Sequence, residues 1–128
     1  MSNLKLPVMS YDNLTRLVGE RYEKRIAHNT TATAYLNHVS VSYHGNQIAR
    51  VYEDGEIFLT TAGWATQTTV ARLNAVLRDN LAGTPYRVAI RDFAVCLIDS
   101  SEPRARHYFR EVSLSPAGEI LTSERVSA

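Results

Sequence analysis

The chain's densest chemistry lies between Gly63 and Asn74, in the order Gly-Trp-Ala-Thr-Gln-Thr-Thr-Val-Ala-Arg-Leu-Asn. The hydroxyls of Thr66, Thr68 and Thr69 lead straight into apolar residues at helical spacing. A helix start there would leave four backbone N–H groups without intrahelical partners and carry partial positive charge, a combination that attracts phosphates and carboxylates. Arg72, one turn further on, could add a forked cation to the same side. Trp64 could stack on a base or fill a protein pocket. Asn74 could read a base edge or tie down a neighbouring strand. His44 and Arg50, on the strands before this segment, complete the candidate partner-binding set. Ordinary architecture explains the same residues another way: Thr as helix punctuation, Trp64 as a core plug, Arg72 paired with Asp79 or Glu56.

Other constellations point to chemistry less well. His28, His38, His44 and His107 are the metal-capable imidazoles. His38 and His44 are six apart on one strand, too far to chelate one ion, and no carboxylate falls near them in the strand pattern. Ser40 and Ser42 share that face, but nothing supplies an orienting acid or an oxyanion hole. The chain lacks a Gly-x-Gly or Gly-Lys-Ser/Thr element, so no phosphate-binding P-loop is expected. Cys96 is the only cysteine, which excludes an internal disulfide and a cysteine-based zinc cage. Arg104, Arg106 and Arg110 interleave with His107, Tyr108 and Phe109, a mixture that can grip single-stranded nucleic acid but reads better as an arginine-guarded edge strand. No catalytic residue, metal or cofactor is expected.

These residues need a scaffold. With 128 residues, 45% of them hydrophobic and 21% charged, the chain is long enough for one core and too apolar for intrinsic disorder. Fourteen Lys+Arg against thirteen Asp+Glu give a net charge of +1, which argues against an acidic DNA mimic and a histone-like wrapper alike. Twelve of the basic residues are arginines, the side chain suited to bidentate contacts. No apolar run approaches the roughly 20 residues of a membrane span, and the N-terminus lacks a secretory signal, so a cytoplasmic protein is expected.

Ser10 caps a helix expected from Tyr11 to Ile26, with Tyr11, Leu14, Leu17, Val18, Tyr22 and Ile26 on one stripe. Strands follow at Thr30 to Tyr35, His38 to His44 and Ile48 to Tyr52, with a turn at Gly45-Asn46. A hairpin at Asp54-Gly55 leads into Glu56 to Thr61. The best-supported element is a helix from Thr69 to Leu81, capped by Thr68, with Val70, Leu73, Val76, Leu77 and Leu81 buried. Gly83 and Pro85 stop it. Strands at Tyr86 to Ile90 and Phe93 to Asp99 join at Arg91-Asp92. Ser100 to Arg106 reads as a loop, and His107 to Val112 as a last strand. The expectation is therefore one α+β domain over 1–128, with an antiparallel sheet of five to six strands and the central helix on one face. A short arm covers 1–9 and a loosely held tail covers 113–128.

The pattern Gly-Trp-x-Thr-x-Thr-Thr-x-x-Arg-x-Asn, preceded by His44, Ile48-Ala49 and the Gly55 hairpin, resembles a family of small proteins common in bacteriophages and prophages. The likeness covers residues 38–80, and Ala62 stands where that family has the first glycine of a Gly-Gly-Trp run. The resemblance implies a phage or mobile-element setting and transfers no catalytic residue. Together these readings predict a non-enzymatic accessory protein that binds nucleic acid or a host nucleic-acid-handling complex, such as a defence system. A sponge for small or cyclic nucleotides and a structural or homodimerising module are the alternatives.

Overall fold

The computed structural model describes residues 5–63, 65–81 and 83–124. In chain order its elements are α1 (Tyr11–Val18), β1 (Glu23–Ala27), β2 (Thr30–Ala34), β3 (His38–Tyr43), β4 (Asn46–Tyr52), β5 (Ile57–Thr60), α2 (Gln67–Asn80), β6 (Tyr86–Arg91), β7 (Ala94–Asp99), β8 (Glu102–Tyr108), β9 (Glu111–Leu114) and β10 (Ile120–Glu124). The α+β class holds, with two helices and antiparallel strand pairing. The strands divide into a sheet of seven, ordered β1-β2-β3-β4-β5-β9-β10, and a sheet of three, ordered β6-β7-β8, rather than one sheet of five to six.

Ser10 accepts the Asn13 N–H at 3.3 Å and starts α1 as expected. The helix stops at Val18 instead of reaching Ile26. Gly19 adopts φ 62 and donates its N–H to the Thr15 carbonyl, a left-handed stop that a side chain would oppose. Residues 23–27 then turn back as an edge strand of the large sheet, and Tyr22 stands 65% exposed instead of continuing the apolar stripe.

The large sheet buries one face. Ala32, Val41, Ala49, Leu59 and Val112 stand opposite one another across five strands, and Val39, Val51, Ile57 and Leu114 form a second row beside them. All nine are at most 1% exposed. Each fully buried Val, Leu or Ile among them contributes about 1.5–3 kcal/mol. The β3–β4 hairpin turns on His44-Gly45, one residue earlier than expected. Tyr43 faces Asn46, and both turn residues have positive φ, which matches the twist of the flanking strands.

Helix α2 joins the two sheets, packing on β4 and β5 of one and β6 of the other. Its expected stripe of Val70, Leu73, Val76, Leu77 and Leu81 is buried. Its cap is Thr66, whose hydroxyl accepts the Thr69 N–H, not Thr68. Asn74 donates to the Val88 carbonyl at 2.8 Å and accepts the Val88 N–H at 2.7 Å. That side-chain amide acts as a one-residue strand on the edge of β6. At the far end of α2, Asp79 accepts the Met9 N–H and Asn80 donates to the Met9 carbonyl, which anchors the N-terminal arm at a fully buried methionine.

The loop expected over Ser100 to Arg106 is largely strand, because a polar edge strand carrying Pro103 and arginines is hard to tell from a loop by composition, and the strand expected over His107 to Val112 is divided between the end of β8 and the start of β9. Residues 111–114 and 120–124 join the large sheet, with Leu114 fully buried, so the chain from 113 is held at least to 124.

Candidate functional site

The start of α2 does not present its guanidinium to solvent. Arg72 is 1% exposed. Its Nε donates to the Thr30 hydroxyl at 2.7 Å, and its two terminal nitrogens donate to the Thr68 and His28 carbonyls at 2.9 Å each. The guanidinium carbon sits 3.9 Å from the centre of the Tyr43 ring. Burial pulls its pKa below the ordinary arginine value, and Tyr43 pulls the other way. The ion pairs among the described residues are Arg78–Asp79 and Arg106–Asp92, so Arg72 is held by carbonyls, a hydroxyl and a ring. The expected outward cation is a clamp between α2 and the β1–β2 turn.

The threonines bond to one another. The Thr66 hydroxyl lies 3.1 Å from that of Thr68 and 3.0 Å from that of Thr69, which is fully buried. With Tyr43, His44 and Ile48 they line a pocket of about 140 Å³. That is under half the volume of about 300 Å³ from which small-molecule sites begin. His44 is exposed in its turn, its ring 4.3 Å from that of Tyr43. Trp64 lies outside the described residues. The structure thus brings His44, Thr66, Thr68 and Thr69 together, with Arg72 sealed behind them. Asn74 is engaged with β6, and Arg50 is on the opposite face of the large sheet.

That opposite face carries a row of rings. Tyr22 and Tyr35 meet edge-on at 5.9 Å, Tyr35 stacks on His38 at 4.8 Å, and His38 lies 4.9 Å from Tyr52. Arg50 lies 4.9 Å over Phe58, with its Nε donating to the Gln47 side-chain Oε1. Partial burial, and then the nearby Arg50 charge, push the His38 pKa below its ordinary value. The rings are mutually packed, so the row serves first as cross-strand cohesion.

The small sheet has a different outer face. Pairing sets Arg87 opposite Ile98 and Ile98 opposite Arg106, while Ala89 faces Cys96, Cys96 faces Tyr108, and Arg91 faces Ala94. Alternation therefore puts Arg87, Arg91 and Arg106 on one face, over a small cluster of Ala89, Cys96 and Ile98 against which Tyr108 packs. Cys96 registers the convergence: burial raises its pKa, and Arg106, Arg91 and Arg87 each act to lower it. One carboxylate answers them. Asp92 takes Arg106 at 3.2 Å and the Tyr108 hydroxyl at 3.2 Å. The β6–β7 turn that carries Asp92 has φ 52 there and φ 64 at Phe93. Left-handed geometry costs a residue with a Cβ about 1–2 kcal/mol, and the Phe93 ring is 98% exposed. Sequence reasoning singled out Arg106 and Tyr108 but missed Arg87 and Arg91. Their period of two within Tyr86–Arg91 was the available signal, and it needed the β7–β8 register to become a surface.

The described residues contain no group of three or more metal-capable side chains, and no helix among them is long and apolar enough to cross a membrane. The fold and its faces define a small α+β protein with an arginine-bearing sheet turned outward. Residues 8–115 match the family model described as Kyanoviridae Gp96 protein, and the chain belongs to that family of phage proteins. No curated protein and no solved structure matches it.

Proposed function

We propose that this phage protein acts without catalysis, by binding nucleic acid through the outer face of the small sheet. The observation that carries the reading is the convergence of Arg87, Arg91 and Arg106 on one face with Asp92 as the partnering carboxylate. Guanidinium groups grip phosphate by paired N–H donors, and releasing the phosphates' counterions drives association. The phosphate backbone offers the same chemistry free or within a host nucleic-acid-handling complex. A nucleotide sponge at the start of α2 is less well supported, because the pocket there is small and its threonine hydroxyls already bond to one another.

The test is fluorescence anisotropy of a labelled duplex across a salt series, with wild type, Arg87→Ala, Arg91→Ala, Arg106→Ala and the triple variant. Each arginine on a phosphate should contribute about 0.9 to the slope of log affinity against log salt. The expected result is a flatter slope for each single variant and loss of measurable binding in the triple variant, with unchanged circular dichroism. Equal affinity and slope for wild type and triple variant would remove this reading.

A further inference from the structure

Phe93 occupies the tip of the hairpin that carries Arg87 and Arg91, and its ring touches almost nothing, at 98% exposure. The position is unfavourable twice over, since the phenyl faces water and its backbone sits at φ 64, where glycine is the ordinary occupant. The adjacent acid, Asp92, accepts from Arg106 and from the Tyr108 hydroxyl, both at 3.2 Å. An apolar ring projecting beyond a basic sheet matches the wedge that architectural proteins drive between base pairs, with cations on the flanking phosphates. Single-strand binders instead lay their rings flat on the basic face. The ring on this face, Tyr108, packs instead against the cluster of Ala89, Cys96 and Ile98.

We infer that Phe93 inserts between stacked base pairs of duplex DNA gripped by Arg87, Arg91 and Arg106, and so kinks it. This inference rests on the arginine-face reading. The experiment uses a short DNA duplex containing 2-aminopurine, with end labels for energy transfer, and compares wild type, Phe93→Gly, Phe93→Ala and the surface control Leu36→Ala. Wild type and the control should raise 2-aminopurine emission and shorten the end-to-end distance. Both Phe93 variants should lose those signals and bind about tenfold or more weakly, the scale of one lost interfacial anchor. Phe93→Gly should melt no lower than wild type, which separates lost insertion from lost folding. Steep, salt-dependent binding by wild type with neither optical signal, and equal affinity in both Phe93 variants, would overturn insertion and leave the arginine face standing. A wild-type protein that binds no duplex at low salt would overturn both.

Discussion

Arg72 illustrates how one side chain changes meaning when its surroundings are known. Its position one turn into α2 suggested an outward anion contact, yet two of its hydrogen-bond partners, residues 28 and 30, lie more than forty positions away. No local pattern encodes that pairing. Truncation removes three hydrogen bonds and the Tyr43 ring contact from a buried site, with only the Thr30 hydroxyl still donating to the His28 carbonyl, so Arg72→Ala should cost about 3 kcal/mol of stability by urea denaturation. Lysine lacks the planar fork and should not restore it. A midpoint equal to wild type would contradict the clamp. His38 gives a prediction with a definite sign. Its folded pKa lies below the ordinary 6.5, so the unfolded chain takes up the proton first as the solution is acidified. Its contribution is fully present above pH 6.5 and is lost as pH falls through that value towards the folded one. The urea midpoint of wild type should therefore drop more between pH 7.5 and 5.5 than that of His38→Phe; equal drops would contradict the shift.

At the scale of elements, the legible parts are those whose periodicity is local. The stripe of α2 and the alternation of β3 to β5 are visible because one face of each is buried against a continuous core. Strands β8 and β10 are sheet edges, and edges carry the charges, proline and hydroxyls that elsewhere mark loops. The overlong reading of α1 arose because helical spacing continued past Gly19 while the backbone there turned left-handed. Asn74 is an element-scale device, its side chain completing the edge of β6 and so fastening the small sheet to α2. Asn74→Ala leaves the Val88 N–H and carbonyl unpaired in a buried setting and should cost about 1–3 kcal/mol. Hydrogen exchange should show lost protection concentrated in β6 and β7. Uniform loss across both sheets would mean that the link is not local.

Across the whole molecule, charge is placed rather than abundant. A net charge of +1 gives no overall attraction to nucleic acid, and the case for binding depends on where twelve arginines end up. One is walled inside as a clamp, another lies over Phe58, and three share the outer face of the small sheet. Sequence patterns showed residue types and spacings but not this sorting, which arises from strand register and from contacts distant in the chain. Phage family membership, which spans residues 8–115, is consistent with the setting read from residues 38–80. The most direct measurement is amide chemical-shift mapping while a short DNA duplex is titrated into the labelled protein. The account predicts that perturbations concentrate in residues 87–108, at the arginine face and the Phe93 turn. Perturbations centred instead on His44 and residues 66–72, with the small sheet silent, would contradict it.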